Sequence, residues 1–454
     1  MATASGRWEL PDPFMPHQTP VSPDPSDKKP IQIGLLGCGV VGSGTIRTLR
    51  ESADAIERKL GVPLILRRVC VRDLNKPRAV ELDPSLLTDR AADVLDDPEI
   101  DIVAELMGGT EPACSYILQA LRSGKHVVTA NKELVAKEGH QLLREAAARR
   151  LDCFFEGSVA GGIPIIRSLK VCLGANRILS VMGIVNGTTN YILTQMAETG
   201  KDFGVALAEA QAQGYAEADP TADVDAFDAV YKLAILASIA FHSRVPVDEI
   251  YREGIRGITG SDIAYARELG YVIKLLAIGR QRESGLELRV HPAMVRHSHP
   301  LAAVNDVFNA VLVNGSSVGD VMFYGRGAGS LPTGSSVAAD ILEVARGIRF
   351  GGSGRLSCTC FKDQRVLPAG EIESNHYVRI RTDDRPGVIA AVSTVFGRHQ
   401  VSLESILQKQ GNGSEAEIVW ITHRTQESRI RAALDEIAAL EVVREIGSWI
   451  RVEE

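Results

Sequence analysis

Residues 31–50, IQIGLLGCGVVGSGTIRTLR, decide the fold. Residues 31–36 form a short apolar run of strand length. Gly37-Cys38-Gly39-Val40-Val41-Gly42 fits G-x-G-x-x-G, and residues 45–58 read as a helix. A strand, a glycine turn and a helix in that order are the context this motif requires. The first glycine permits the tight turn, the second lets the backbone approach a pyrophosphate, and the third lets helix and strand pack closely. The helix N-terminus then faces the negative charge. Gly37, Gly39, Val40, Val41 and Gly42 are therefore candidate cofactor-binding residues for a dinucleotide. The bland alternative is a plain glycine turn.

Further strands are expected at 64–71, 102–106 and 125–129, with helices at 112–123 and 133–149. Strands alternating with helices make residues 30–150 an α/β domain with a Rossmann-type, doubly wound parallel sheet. The second strand runs into Val71-Arg72-Asp73, with Lys76 and Arg78 close behind. An acid at that strand end favours the ribose of NAD, and an arginine favours a 2′-phosphate. Arg72 comes first, so NADP(H) is the expected preference, with NAD(H) as a second possibility.

Residues 151–324 differ in pattern and are expected to form a central α+β domain for catalysis and dimerisation, with a mainly antiparallel or mixed sheet. A second glycine-rich loop at 325–334 leads into a helix over 336–346, so 325–350 is expected to return to the first domain. Residues 351–375 read as a linker. From 376 the order is βαββαβ, with strands at 376–381, 401–408, 415–422 and 442–452 and helices at 386–398 and 426–440. That is a split-βαβ, ferredoxin-like unit over 376–454. Within it Pro386 suits a first helical position with an aspartate as cap, leaving amides free to hold a carboxylate.

The bulk numbers exclude several classes. With 45% hydrophobic and 24% charged residues over 454 positions, the composition is ordinary for a globular chain. A net charge of −7 argues against nucleic-acid or acidic-membrane partners. Cys38, Cys70, Cys114, Cys153, Cys172, Cys358 and Cys360 are odd in number and form no C-x-x-C pair, which suits reduced cytosolic thiols. The longest apolar run, 233–241, falls short of the ~20 residues of a membrane span. No secretory signal or acid-poor transit peptide is legible, so a cytoplasmic location is expected. Prolines at 11, 13, 16, 20, 23, 25 and 30 suggest a disordered arm over 1–29.

Two segments carry candidate chemistry. Residues 214–232 read GYAEADPTADVDAFDAVYK. Pro220 suits a first helical turn with Asp219 as cap, and the helix is expected to continue through the apolar 233–241 into a buried position. Asp225, Asp228 and Lys232 then share one face. On a surface, Asp228–Lys232 is an ion pair worth ~0.3–0.5 kcal/mol. Leading into a buried helix, such charges are costly unless paired or functional. A lysine there can donate a proton to a carbonyl oxygen, and the carboxylates can hold a substrate ammonium. Lys132, in TANKELVAKEG, follows the strand at 125–129, where α/β enzymes place their sites.

From about Ile31 to its end the chain resembles homoserine dehydrogenases. GLLGCGVVGSG, GKHVVTANKELVAKEG, FEGSVAGGIPII, GIVNGTTNYIL, GYAEADPTADVD and FYGRGAGSLPTGSS match that family's blocks in the family's order. The resemblance implies reversible reduction of L-aspartate 4-semialdehyde to L-homoserine, in threonine, methionine and isoleucine biosynthesis. It implies Lys232 as proton donor, Asp228 and Glu217 as substrate-binding acids, and Lys132 near both nicotinamide and substrate. It places Thr110 and Gly327 against the cofactor. Glu156, with the carbonyls of Val159, Gly161 and Ile163, matches a monovalent-cation site. Ala226 stands where the family usually has glycine; alanine suits a helix better, so activity is expected to be retained. Residues 376 onward resemble an ACT domain, D-x-P-G-V carrying much of the likeness, which implies feedback by an amino acid, threonine foremost, and at least a homodimer. The alternatives are a dehydrogenase for another small aldehyde, or a non-catalytic sensor, against which both lysines argue. An acylating aldehyde dehydrogenase needs a nucleophilic cysteine, and Cys153 lies in an apolar run.

Overall fold

A computed structural model describes residues 29–354, 358–409 and 414–453. Apart from Lys29, the proline-rich arm lies outside the described residues. The first sheet contains β1 (Ile31–Leu36), β2 (Leu64–Cys70), β3 (Leu87–Thr88), β4 (Ile102–Glu105), β5 (His126–Thr129) and β6 (Cys153–Phe154), in the order β3-β2-β1-β4-β5-β6. All its pairings are parallel. β4 and β5 are buried throughout, as strands covered on both faces must be. Strand order reverses at β1, which opens a crevice at the carboxyl ends. The helix expected over 45–58 is two helices, Val40–Glu51 and Ala53–Leu60, separated at Ser52. The break turns Ile56 and Leu60 onto the core.

The remaining strands are β7 (Ile178–Ile184), β8 (Tyr251–Arg252), β9 (Tyr271–Arg282), β10 (Gly285–Arg296), β11 (Phe308–Gly315), β12 (Gly319–Arg326), β13 (Glu373–Asp383), β14 (Leu403–Lys409), β15 (Glu415–Thr422), β16 (Thr425–Gln426) and β17 (Val443–Glu453). They join in one sheet, ordered β12-β11-β7-β9-β10-β17-β13-β15-β14, with β8 on β10 and β16 on β13. The stretch β12-β11-β7-β9-β10 is antiparallel. β17 then pairs in parallel with β10, Ala293–Val295 against Arg451–Glu453. The C-terminal βαββαβ unit thus continues the central sheet. Part of the described stretch 358–375 is tied to the central domain. Lys362 bridges Ser243, Val366 bridges Leu286, and β13 begins at Glu373.

The second glycine loop is shorter than 325–334, because Gly325 and Arg326 end β12 and a helix, Ser330–Phe350, starts soon after. Its Val337, Ile341, Val344 and Ala345 join the apolar core beneath β1. The crossing with Val40–Glu51 is backbone against backbone. A Cβ on Gly44 would lie 1.9 Å from the Ser330 carbonyl oxygen, and one on Gly334 2.5 Å from the Gly44 carbonyl carbon. In the C-terminal unit the first helix runs Val388–Arg398, with Gly387 (φ +96°) as N-cap and no capping side chain. Pro386 is therefore not its first residue. Asp383 instead pairs with Arg444 at 2.6 Å.

The expected continuous helix from Pro220 to Phe241 is also interrupted. Thr221–Val224 makes one turn, Ala226 takes a left-handed conformation (φ +65°, ψ +17°), and a new helix spans Phe227–Phe241. Asp219 does accept from the Thr221 amide, at 3.1 Å. The break swings Asp225 off the face of Asp228 and Lys232 and onto Arg256, 2.7 Å away. It also explains why a glycine suits position 226. An L-residue pays about 1–2 kcal/mol in that conformation, and alanine carries the smallest Cβ burden.

Two stability outcomes follow. Gly44→Val is expected to cost ~2–3 kcal/mol by overpacking, seen as a lower midpoint in denaturant; an unchanged midpoint would refute the close crossing. Ala226→Val, which forces a β-branched residue into a left-handed cap, is expected to cost more than ~1 kcal/mol. Wild-type stability in that variant would mean that residue 226 lies in regular helix.

Candidate active site

The loops that carry Gly37–Gly42, Arg72, Thr110 and Lys132 follow β1, β2, β4 and β5 at the carboxyl edge of the parallel sheet. The Gly37–Gly42 turn follows β1, and the Gly37 amide donates to the Cys70 carbonyl at 2.9 Å. Gly37 has φ +97°, and a Cβ there would meet the Leu106 oxygen at 2.7 Å. A Cβ on Gly42 would meet the Gly37 oxygen at 2.6 Å. At Gly39 it would meet nothing within 4 Å, so the space before the helix is open where a phosphate group would approach. Val40, 67% exposed, and Val41 form the first turn of that helix. These features fit a dinucleotide pyrophosphate. Arg72 lies exposed two residues beyond β2. Arg78 turns back onto the carbonyls of Leu74 and Lys76, at 3.2 and 2.8 Å.

Thr110 sits in the loop after β4, and Lys132 opens the helix after β5. One residue ties the two loops. Asn131 donates to the Gly109 carbonyl at 2.6 Å and accepts from the Leu134 amide at 3.2 Å, capping helix Lys132–Ala148. Gly327 is wedged tightly, since a Cβ there would lie 1.9 Å from Asn309 Nδ2, and one on Gly161 2.5 Å from the Gly327 oxygen.

Lys132 and Lys232 converge on Asp228. Lys232 Nζ donates to Asp228 Oδ2 and to the Val185 carbonyl, both at 2.6 Å. Lys132 forms an ion pair with Asp228 Oδ1. Asp228 and Lys232 are buried, whereas the Lys132 side chain is 44% exposed. Burial works against charge on Asp228, but the two lysines outweigh it and hold its carboxyl well below the usual carboxylate range. Burial also dominates at Lys232, and with Lys132 nearby it brings the ammonium below the ordinary lysine value despite Asp228. At Lys132 burial is outweighed by Asp228, and the value rises.

Two further residues complete the cluster. Asn186 donates to Asp223 Oδ1 at 2.6 Å and to Asp228 Oδ2 at 2.9 Å, while its own Oδ1 accepts from the Thr189 amide and caps helix Gly187–Thr199. Asp223 and exposed Glu217 both act electrostatically on Lys132. Sequence reasoning chose Asp225 from this acidic stretch and passed over Asp223 and Asn186. The quoted GIVNGTTNYIL block contained Asn186, but periodicity along one helix cannot reveal a partner from another. The set offers two ammonium groups against three carboxylates, an arrangement able to receive a polar, charged substrate and to deliver a proton.

Cys153 is buried in β6, and burial pushes its thiol up to about 12, which removes it as a nucleophile. Glu156 is buried too. Its two carboxylate oxygens accept from the Ile166 and Arg167 amides at 2.7 and 2.8 Å. The Gly161 carbonyl accepts from Ser336 Oγ at 2.6 Å, and the Ile163 carbonyl from the Ile165 amide at 2.9 Å. Glu156 therefore caps a helix here, and each oxygen keeps further lone-pair capacity. Among the described residues no group of three or more His, Cys, Asp and Glu side chains is placed to hold a metal ion, and no helix is long and apolar enough to cross a membrane.

Comparison with known proteins covers most of the chain. Residues 37–156 match the homoserine dehydrogenase NAD-binding domain, 164–342 the homoserine dehydrogenase domain, and 376–442 the ACT domain. The chain is 48% identical over 432 residues to a homoserine dehydrogenase of Synechocystis, covering 93% of this chain and 99% of that protein. The crystal structure of a homoserine dehydrogenase from Thiobacillus denitrificans superposes with a TM-score of 0.89 at 44% identity, covering 94% of this chain and 99% of that one. A hyperthermophilic archaeal homoserine dehydrogenase in complex with NADPH superposes at 0.59 with 27% identity, covering 70% of this chain and 98% of that one. From its dinucleotide turn to its C-terminal unit, the chain belongs to the homoserine dehydrogenase family, a family of oxidoreductases.

Proposed function

We propose that this dehydrogenase interconverts L-aspartate 4-semialdehyde and L-homoserine through the Lys132–Asp228–Lys232 cluster. The observation that carries the reading is the disposition of Lys232. Two of its three N–H groups are spent on Val185 and Asp228, which leaves one to donate to a substrate oxygen. The bound nicotinamide supplies the hydride. Lys232 donates the proton to the aldehyde oxygen on reduction and withdraws it on oxidation. Asp228 holds both lysines in place and keeps its own charge. Lys132, partly exposed, orients the substrate oxygen or carboxylate, and Glu217 with Asp223 receives the substrate ammonium.

NADP(H) is the preferred cofactor in this reading and NAD(H) a usable second. Exposed Arg72 suits a 2′-phosphate, and the archaeal relative was captured with NADPH. Thr110 and Gly327 would contact the cofactor in this reading. Glu156 and the carbonyls of Val159, Gly161 and Ile163 offer the oxygen donors that suit a hard monovalent cation, and no step of the reaction is assigned to it. The reading extends to threonine acting through the ACT domain, to a homo-oligomer, dimer or tetramer, and to a cytoplasmic place in threonine, methionine and isoleucine biosynthesis.

NADPH absorbance with purified protein and L-aspartate 4-semialdehyde tests this. Lys232→Met is expected to lose ~10²-fold or more in kcat; turnover within tenfold of wild type would remove Lys232 as proton donor. Reduction needs protonated Lys232, whose pKa lies below the ordinary lysine value. The reductive kcat should therefore fall as pH rises through that lowered value, while homoserine oxidation gains over the same range. Arg72→Ala should raise KM for NADPH and spare NADH, and equal effects on both cofactors would cancel its phosphate role.

A further inference from the structure

The helix carrying Asp228 and Lys232 begins at the strained turn around Ala226, and one short segment grips that turn from outside. Arg252 donates to the Asp225 carbonyl at 2.5 Å and lays its guanidinium 3.6 Å from the centre of the Phe227 ring. Arg256 binds both oxygens of Asp225, at 2.7 and 3.2 Å. The Ile255 amide donates to the Val224 carbonyl at 2.9 Å, and Gly254 approaches so closely that a Cβ would lie 2.4 Å from that oxygen. Residues 252–256 thus hold 224, 225 and 227, the neighbours of Ala226 on either side.

The same segment is anchored at its other edge by the C-terminal unit. β8 pairs with β10, and the Glu253 amide donates to the Val290 carbonyl at 2.8 Å. Arg451 of β17 is wholly buried and donates to Glu253 at 2.7 Å, to the Tyr251 hydroxyl at 2.8 Å, and to both oxygens of Glu427 at 2.7 and 2.8 Å. An arginine fork that commits several N–H groups fixes its partners in direction as well as distance.

We propose that residues 251–256 are a strap by which Arg451 of the C-terminal domain positions the catalytic helix, with Arg256 and Arg252 as positioning residues for Asp228 and Lys232. The inference rests on the catalytic reading of that pair. A shift of β17 is carried through Glu253 to the Asp225 turn, and so to the carboxylate between the two lysines. Misplacement of a reacting group by an ångström costs up to ~10²-fold in rate, so a small loosening of the strap is enough to register.

Steady-state kinetics of the full chain with NADPH and L-aspartate 4-semialdehyde test it, with Lys232→Met as control. Arg256→Met removes a surface contact whose effect on stability should be slight. It is expected to lower kcat about tenfold, to shift the alkaline limb of the kcat–pH profile, and to leave KM for NADPH unchanged. Arg256→Lys should recover part of the loss. Glu253→Gln should lower kcat likewise, and the double variant with Arg256→Met should fall short of the product of the two effects. The strap is overturned if Arg256→Met and Glu253→Gln both keep kcat and pH profile within twofold of wild type while Lys232→Met is inactive. It is also overturned if kcat falls only in step with the thermal midpoint and the pH profile stays put. If Lys232→Met itself turns over normally, the catalytic reading falls first, and the strap with it.

Discussion

Asp228 meets two ammonium groups with the two oxygens of one buried carboxylate, Lys232 from its own helix and Lys132 from the start of the helix after β5. An unpaired buried charge costs several kcal/mol, and a paired one is tolerable only with good geometry. That demand joins the two halves of the site. The helix after β5 must sit so that Lys132 reaches over, and Asn131 fixes it by capping that helix and holding the Gly109 loop. The helix of Asp228 must begin within reach of Asn186, which bridges Asp223 and Asp228 from a third element. This one carboxylate gathers charged groups from separate elements.

The junction between central and C-terminal units is also charged and buried. Arg289 is buried between Glu287 and Glu453, and Arg451 between Glu427, Glu253 and Tyr251. Such networks add less stability than apolar packing of equal volume would, because desolvation offsets their attraction. They do fix orientation, since each guanidinium accepts few arrangements of its partners. Combined with the parallel pairing of β10 and β17, they make the C-terminal unit part of the central sheet. The C-terminal unit therefore meets the central domain through a directional, hydrogen-bonded contact.

Local chemistry was legible wherever one chain segment carried the whole argument. The glycine turn after β1, the alternation of strands and helices, the βαββαβ order and the buried apolar helix could each be read from residue spacing, because each is a consequence of backbone geometry within one or two elements. Lys232 and Asp228 could be marked because charge beside apolar sequence needs an explanation, and Lys132 because it follows a strand of the parallel sheet. Position 226 shows the limit. Alanine in an acidic, helix-favouring stretch reads as helix, yet the helix breaks there, with Asp228 buried and Asp225 paired to Arg256.

Spacing along the chain thus established the α/β class, the dinucleotide turn, the C-terminal unit and two of the site's charged elements. Which acids face which lysines, the place of Asn186 and Asp223, the fusion of the C-terminal strands with the central sheet and the grip on Ala226 came from contacts between residues about 30 to 200 positions apart. Periodicity records the environment of a face averaged over one element. It carries no information on the partner that the face will meet. Directional, long-range pairs of buried charges are settled only when the elements dock, and in this protein those pairs make up the candidate site.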